Sequence, residues 1–532
     1  MATPITLYVS PQGSDSNTGS RDSPFLTFYR AQLAARGLVP SLTDDLLIYF
    51  RGGTYYQSST LNITEIDSGV SATARVRYIS GWPGDDPAGN TAIIHSGVPL
   101  SAWTLVDSSL QIWSSPLPAP LTDTRQVWNA SAGGVSLLKA AQGGLGSGAQ
   151  ITATGYTAVA SNVPFLMDAH QNAADIEFVY TGVGSSWTEC RLRVASVSSL
   201  PGGLLNITMA QPAWSFHKRA YGQGLTYPAY TANVFAGLQD GSFYVNSKTS
   251  TLYWKGTPGM QAPPTGLVVP SLDVLLHLQG AHWVTFEGLQ FSFAGWLEPN
   301  SGLGYVDMQS GYRFVSDANI NDPTNDNLWV PVPGNVQIHS SQNISFSQCT
   351  FAGFGATALA VLDSSQSVAV VNNTFHNIAC SGLSLGQVSD VNTTAVRENG
   401  YFVAEGNLFE NIPNEYHDCA GILGGFIVGS SISNNAIVNA SNGGICVGWG
   451  WSRDEATNSG WNNISRNYIY RSNWLLYDCG SIYVLGPQPE SLMNENFCSG
   501  QVKLYGALYT DEGSAYWHIT RNVVHDVPEW LQ

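Results

Sequence analysis

The second half of the chain repeats a double motif, and this repeat restricts the possible folds more than any other feature of the sequence. The first motif is a triplet of Asn, one variable residue and one apolar residue. It occurs as Asn373-Thr-Phe375, Asn407-Leu-Phe409, Asn435-Ala-Ile437, Asn467-Tyr-Ile469 and Asn522-Val-Val524, with Leu289-Gln-Phe291 and Cys349-Thr-Phe351 in the same position earlier. The second motif is an apolar residue that begins another strand, usually behind small residues: Leu359, Leu383, Ile422, Ile445, Ile482 and Leu508. Two linked motifs at unequal spacing predict stacked coils whose loops differ in length.

Stacked coils explain why these residue types recur. Each coil buries its inward apolar residues only against neighbouring coils, and Asn side chains at one bend can stack and hydrogen-bond into a ladder. The hydrophobic fraction of 43% supports such a core, and the charged fraction of 11% fits short, turn-rich strands. We therefore predict an all-β fold, a right-handed parallel β-helix.

The first half of the chain predicts two additions to this solenoid. Phe25 to Arg36, opened by Ser23-Pro24, have the apolar spacing of an amphipathic helix that would cap the open end of the first coil. Alternating strands then predict an inserted antiparallel β domain. These strands are Ile176 to Tyr180, Cys190 to Val194, Leu204 to Met209, and a hairpin of Phe243 to Val245 with Thr251 to Trp254. We divide the chain into cap and first coils (1–119), inserted domain (120–262) and main β-helix with the site (263–532).

The charge balance argues against two classes of partner. The net charge is −17 and the pI is near 4.8, so we expect neither nucleic acid nor an anionic membrane as a partner. No apolar run approaches the ~20 residues of a membrane span. A signal peptide is absent before the first strand, and we interpret the sequence as a mature form with an added Met.

Register along the coils places three cysteines in one column. Cys380, Cys419 and Cys479 each stand three residues before a strand that begins a second motif. Cys380 and Cys419 lie on adjacent coils, within reach of a disulfide if their Cβ atoms face each other. Of the two interpretations, we favour a stack of small buried thiols.

The same register places acidic residues near one another. Asp418 and Asp478 share a column two coils apart, roughly 10 Å at the strand spacing of a sheet. Asp511 and Glu512 follow the strand that begins at Leu508, and register alone does not bring them to Asp478. Each acid can also be explained as a turn cap or a partner of Arg453, Arg466, Arg471 or Arg521.

These acids suit the cleavage of glycosidic bonds. That reaction needs one carboxylic acid to protonate the leaving oxygen and one carboxylate to activate water or attack carbon. Side chains nearby in the sequence could bind sugar, although packing or structural roles explain the Trp and His residues as well. The candidates are Tyr416, His417, Trp449, Trp451, Asp454, Tyr483 and Tyr509.

Several motifs resemble one set of secreted parallel-β-helix glycoside hydrolases, which includes a bacterial α-L-fucosidase acting on complex pectin and a xylanase. They are Tyr8-Val-Ser-Pro-Gln-Gly-Ser-Asp15, Gly52-Gly-Thr-Tyr55, Glu415-Tyr-His-Asp418, Gly448-Trp-Gly-Trp451, Asp478-Cys-Gly-Ser-Ile-Tyr483 and Asp511-Glu-Gly-Ser514. The resemblance covers nearly the whole chain and implies a pectate-lyase-like solenoid. It also implies Asp478 and Asp511 as the catalytic pair, with Glu512 as a substitute.

The resemblance further implies a secreted monomer that acts on a polysaccharide or oligosaccharide and requires no cofactor, with Ca²⁺ a possible addition. Cys479 departs from the family because relatives usually have Gly there. The chain also ends at Gln532 just after a coil, where relatives continue, so we expect this end to be truncated or covered.

Two other functions fit this fold. A polysaccharide lyase or C5-epimerase needs a Lys, Arg, His or Tyr base and cations that neutralise a uronate. No Lys stands beside the acids in the sequence, and Lys503 is the only Lys after Lys255. A non-catalytic glycan-binding protein is the third alternative, because the fold alone does not decide between these functions.

Overall fold

The computed structural model describes residues 4–86, 89–182, 186–220, 226–316, 329–389, 394–450 and 457–532. In these residues three parallel sheets stack along one solenoid, which confirms the predicted parallel β-helix. Each coil adds a strand to sheet 1, then to sheet 2, then to sheet 3. None of the helices in the described residues is long and apolar enough to cross a membrane.

The strands of the three sheets are short and follow one another in register. Sheet 1 contains Ile5–Val9, Leu46–Phe50, Val76–Ser80, Val284–Glu287, Ser345–Ser347, Ala369–Val371, Val403–Glu405, Ser431–Ser433, Asn463–Ser465, Pro487–Asn494 and Ala515–Thr520. Sheet 2 contains Gly53–Tyr56, Ala92–His95, Gln290–Ala294, Thr350–Phe354, Thr374–Ile378, Leu408–Glu410, Ala436–Val438, Tyr468–Tyr470, Phe497–Ser499 and Val523–His525. Sheet 3 contains Leu61–Thr64, Leu276–Gln279, Gly334–His339, Thr357–Leu362, Leu383–Leu385, Ile422–Gly424, Ile445–Val447, Ile482–Val484, Gly506–Thr510 and Glu529–Leu531.

Both sequence motifs mark strands of this solenoid. The apolar residues of the triplets pair in sheet 2, as Phe375 does with Phe409, and their rings stack 4.6 Å apart. The residues of the second motif lie in the strands of sheet 3, where Ile445 pairs with Ile422 and Ile482. Because these residues point inward, they form one continuous hydrophobic core.

A column of asparagine side chains holds the bend between sheets 1 and 2. The Oδ1 atom of Asn407 accepts hydrogen bonds from the backbone N–H and from Nδ2 of Asn373, at 2.9 and 3.0 Å. Its Nδ2 atom donates to Oδ1 of Asn435 at 2.9 Å and to the carbonyl of Val370 at 2.8 Å. Both amide hydrogens and both lone pairs are therefore used. The pattern continues along the column through Asn467, Asn496 and Asn522, which confirms the predicted ladder.

The residue before each ladder asparagine turns the chain through the bend. It has left-handed backbone geometry, with φ of 57° at Asn372 and 67° at Gly406. Arg466 and Glu495 adopt the same geometry, with φ of 55° and 58°. This conformation costs an L-residue roughly 1–2 kcal/mol, so the hydrogen bonds of the next asparagine hold the bend against its local preference.

The N-terminal helix packs against the first coils, as the sequence predicted, but spans Phe28–Leu38 rather than residues 25–36. The helix begins later because the hydroxyl of Thr27 accepts a hydrogen bond from the N–H of Arg30 and caps it. Phe28 is fully buried, and its ring stacks 4.7 Å from that of Tyr78.

Two excursions leave the solenoid at the corner between sheets 2 and 3. The first runs from residue 97 to residue 270, and at the centre of its largest antiparallel sheet Glu177–Thr181, Glu189–Leu200, Leu204–Met209 and Gly155–Val159 pair in that order. The remaining antiparallel strands are Gly97–Pro99, Thr104–Asp107, Ile112–Pro116, Trp128–Asn129, Val135–Ser136, Ala141–Gly143, Gln150–Ile151, Tyr230–Ala232, Phe243–Asn246, Thr251–Lys255 and Leu267–Pro270, with a helix at Ala213–Ala220. The predicted hairpin of Phe243–Asn246 and Thr251–Lys255 is confirmed. The division at residues 120 and 262 stays a prediction.

The second excursion was not predicted from the sequence. It carries the strands Tyr305–Gln309, Tyr312–Phe314 and Trp329–Pro331. Tyr305–Gln309 pairs with Glu189–Leu200 through Arg191 and Cys190. The inserted sheet therefore extends over the outer side of sheet 3.

Removing an interior ladder residue tests the role of this column. Asn435→Ala leaves the backbone N–H and Nδ2 of Asn407 without their acceptor, and each buried unsatisfied group costs about 1–3 kcal/mol. We expect Asn435→Ala to lower the denaturant midpoint clearly more than Asn522→Ala, because Asn522 ends the ladder and is only partly buried. Urea unfolding followed by circular dichroism measures both, and equal midpoints would contradict the ladder's role.

Candidate functional site

A cavity of about 470 Å³, here called cavity 1, lies where sheet 3 meets the inserted sheet. Its described lining residues are Trp187, Met308, Gln309, Asp478, Tyr505, Tyr509, Asp511 and Glu512. Asp478 precedes the strand Ile482–Val484, and Asp511 and Glu512 follow the strand of the next coil, Gly506–Thr510. The structure therefore brings together three of the four acids that the sequence singled out.

Two tyrosines hold the two aspartates by crossed hydrogen bonds. Tyr483 and Tyr509 occupy one register position on adjacent coils, and their rings meet edge to face at 5.0 Å. The hydroxyl of Tyr509 donates to Oδ1 of Asp478 at 3.0 Å, while that of Tyr483 donates to Oδ2 of Asp511 at 2.5 Å. Each aspartate is thus bound by the tyrosine of the other coil, which places Asp511 at the same cavity as Asp478.

The surroundings favour a proton on Asp478. Burial raises the pKa of Asp478, and the charge of Asp511 raises it further, although the hydrogen bond from Tyr509 acts in the opposite direction. Burial and nearby carboxylates also raise the pKa of Tyr483 and of Tyr509 well above the usual range. Both tyrosines therefore remain hydroxyl donors at physiological pH.

Aromatic rings form much of the cavity wall. The ring of Tyr505 is nearly parallel to that of Tyr509, at 5.8 Å, and to that of Tyr477, at 6.1 Å. Trp187 comes from the inserted sheet, and its indole N–H donates to the carbonyl of Met308 at 2.9 Å. Rings of this kind suit the apolar faces of sugars. Sequence reasoning identified Tyr509 but missed Trp187 and Tyr505.

Gln309 joins the inserted sheet to the two coils that carry the aspartates. Its Oε1 lies 3.5 Å from the hydroxyl of Tyr483, and its Nε2 lies 3.5 Å from the carbonyl of Asp478. No sequence motif marks Gln309, because the pairing of the second excursion places it there.

Asp418 is buried away from cavity 1, which corrects its predicted place in the site. Its column is confirmed, but its side chain points beneath the inserted strand Tyr305–Gln309 and has no exposed surface. It accepts a hydrogen bond from the hydroxyl of Tyr305 and is hydrogen-bonded to the equally buried Asp307. Burial, aided by the charge of Glu189, raises the pKa of Asp418 to about 7, and burial and Asp418 raise that of Asp307 well above its usual range.

Two predicted sugar-binding residues are also interior. Tyr416 has no exposed surface and lies between the guanidinium groups of Arg125 and Arg191, each 5.6 Å from its ring. Trp449 is buried against the ring of Tyr312 at 4.5 Å. Both side chains are therefore packed in the protein interior, and their sugar-binding roles stay predictions.

The remaining predicted residues divide into three groups. Tyr509 lines cavity 1, and Tyr483 lies behind it. His417 is partly exposed at a second cavity, with its Nδ1 at 2.9 Å from Oε2 of Glu189. Trp451 and Asp454 lie outside the described residues.

Cys380 and Cys419 form a disulfide, which corrects the favoured interpretation of a thiol stack. Adjacent coils bring their Cα atoms to 5.4 Å, within the range that a disulfide spans. Cys479 instead contacts Cys446, with 3.5 Å between the sulfur atoms.

No group of three or more His, Cys, Asp or Glu side chains in the described ranges is arranged to hold a metal ion. The expectations that no cofactor is required and that Ca²⁺ is a possible addition stay predictions.

The buried carboxyl pair predicts how stability depends on pH. Because the folded-state pKa of Asp418 is about 7 and that of an unfolded Asp is about 3.9, the folded state binds more protons between these values. The pair should therefore contribute stability that is present at acidic pH and lost as pH rises through 7. Asp307→Asn removes one of the two carboxyl groups whose pKa is raised and should flatten this decline, whereas Asp526→Asn, at an exposed position, should not. Thermal melting from pH 4 to pH 9 measures this, and parallel curves for all three proteins would contradict a shared proton.

Comparison with protein-family models and with curated proteins finds no match. Among solved structures, one described as a glycoside hydrolase matches with a TM-score of 0.80 and 22% identity, covering 98% of this chain and 96% of that one. The two chains share a fold over nearly their whole length.

Two further solved structures are less similar. A complex of XylC with xylose has a TM-score of 0.42 and 12% identity, over 93% of this chain and 69% of that one. A GH136 lacto-N-biosidase from Eubacterium ramulus has a TM-score of 0.35 and 10% identity, over 98% and 68%. At these scores neither likeness supports a conclusion about the site.

Proposed function

We propose that the protein is a secreted glycoside hydrolase that cleaves a polysaccharide or oligosaccharide at cavity 1. The crossed arrangement of Asp478 and Asp511 on Tyr509 and Tyr483 is the observation that carries this proposal. It supplies two carboxyl groups with different environments in one aromatic-walled cavity, which is what acid-assisted cleavage of a glycosidic bond requires.

Asp478 is the general acid in this proposal. Its raised pKa favours the protonated form, which donates to the glycosidic oxygen as the bond to the anomeric carbon breaks. The Tyr509 hydroxyl then donates to the carboxylate that forms, which stabilises the product state of this proton transfer.

Asp511 is the second carboxylate, acting on the anomeric carbon or on a water molecule. Its charge is supported by the Tyr483 hydroxyl, which faces Oδ2 and leaves Oδ1 for the reaction. Glu512 lines the same cavity and is the substitute for this role.

The composition of cavity 1 favours a hydrolase over a uronate lyase or epimerase. The described residues that line it include three acids and no Lys, Arg or His. A uronate carboxylate placed there would face like charges without a neutralising cation, whereas a neutral sugar would not.

The disulfide between Cys380 and Cys419 supports secretion, because disulfides persist mainly in oxidising compartments. In this proposal the protein acts as a monomer and binds neither nucleic acid nor a membrane.

Substitution of the aspartates tests the function directly. We expect Asp478→Asn and Asp511→Asn each to reduce hydrolysis of polysaccharides by roughly 10²–10⁴-fold, the usual contribution of a positioned acid or base. The assay measures reducing ends from neutral and uronate polysaccharides, and Asp526→Asn is the matched control on the exposed last coil.

The product identifies the reaction class. Full activity in both variants would refute the site, and an ultraviolet-absorbing unsaturated uronide would show a lyase instead. Binding without release of reducing ends would favour a non-catalytic glycan-binding protein.

A further inference from the structure

We infer that a second cavity beside the first, cavity 2, binds neutral sugar units of the polymer that is cleaved at cavity 1; this rests on the proposed function. Cavity 2 has a volume of about 470 Å³ and lies where the inserted domain meets the corner between sheets 2 and 3. The solenoid contributes Asn411, Asn414, Glu415 and His417 to its wall, and the inserted domain contributes Leu138 and Lys139 among others.

The floor of cavity 2 is a rigid set of ion pairs. The carboxylate of Glu415 accepts hydrogen bonds from Arg125 and Gln126, both at 2.9 Å, and from Lys139 at 3.3 Å. Burial raises the pKa of Glu415, but Lys139 and Arg125 outweigh this effect and hold it well below the usual range. The carboxylate is therefore charged and fully engaged before any ligand arrives.

The positively charged side chains of this floor form ion pairs with neighbouring carboxylates. Arg191 contacts Glu189 at 2.7 Å and Glu177 at 3.4 Å, and Arg125 contacts Glu177 at 2.7 Å. Arg125, Lys139 and Arg191 line cavity 2 together with Glu415, whereas the buried Glu177 and Glu189 lie behind them. Because each of the three cations is already paired with a carboxylate, the cluster offers no unpaired positive charge to a uronate or phosphate, and the site suits a neutral sugar.

The rim of cavity 2 carries the groups that recognise hydroxyls. Glu189 fixes the His417 ring through Nδ1, and among the described residues the other ring nitrogen has no hydrogen-bond partner. Asn411 and Asn414 are exposed amides that supply donors and acceptors. Leu138, whose exposure is 79%, offers an apolar surface on the opposite side.

Two segments connect cavity 2 with cavity 1. Arg191 lines cavity 2 and Trp187 lines cavity 1, and these four residues of chain span at most about 14 Å. In the solenoid, the His417 ring meets Trp474 edge on at 6.2 Å, and the same loop reaches Asp478 at cavity 1. The two cavities therefore lie close enough for one extended oligosaccharide to span both.

Affinity electrophoresis tests this assignment in the Asp511→Asn protein, so that the probe is not degraded. The probes are soluble arabinoxylan, galactomannan and xyloglucan, with polygalacturonate as the charged counterpart. Asn414→Trp places a bulky ring on the solenoid side of the rim. Leu138→Asp replaces an apolar side chain on the inserted-domain side with a charged one. Asn62→Trp, on the exposed face of an early coil, is the matched control.

We expect at least one neutral polysaccharide to retard the Asp511→Asn protein during electrophoresis. Adding Asn414→Trp or Leu138→Asp should weaken this binding at least tenfold, whereas adding Asn62→Trp should leave it unchanged. Unchanged binding in both rim variants, no retardation by any neutral probe, or loss of polygalacturonate binding in Asn414→Trp would each overturn the assignment. Because the measurement uses a background that lacks Asp511, its failure is separate from failure of the hydrolase proposal, which the activity assay decides.

Discussion

The registered stacking of one coil on the next is the constraint on which the rest of the structure depends. The asparagine ladder shows how strict it is: each buried amide is satisfied only because the next coil places another amide against it. The same register holds charged residues such as Arg466 and Glu495 in left-handed backbone conformations. Once register is fixed, any side chain on a coil has a defined neighbour on the next.

The candidate site uses this register twice. Tyr483 and Tyr509 are equivalent positions of adjacent coils, and their hydroxyls bind the aspartates in a crossed pattern that neither coil could form alone. The inserted sheet then covers the site, because Tyr305–Gln309 pairs with Glu189–Leu200 and carries Gln309 to the two coils. Activity would thus require both the solenoid and its excursions.

The repeating coils of the solenoid could be predicted from the sequence, but the segments that fold back over the coils could not. Both motifs mark strands of sheets 2 and 3. Asn496 was missed because a cysteine fills the apolar position of its triplet, and the equivalent second-motif positions Leu276 and Val336 were missed as well. Asp418 seemed equivalent to Asp478 by register, yet the second excursion buries it beneath Tyr305. The position of Trp187 at cavity 1 and the burial of Tyr416 likewise depend on contacts between distant segments, which no local pattern encodes.

The central claim is that Asp478 donates the proton to the leaving oxygen while Asp511 acts at the anomeric carbon. A leaving group that needs no proton separates these roles, so the most direct measurement compares the polymer with the 2,4-dinitrophenyl glycoside of the same sugar. Asp478→Asn should lose roughly 10²–10⁴-fold in kcat/KM on the polymer but far less on the dinitrophenyl glycoside, whereas Asp511→Asn should lose on both. An equally large loss on both substrates in Asp478→Asn would contradict the account.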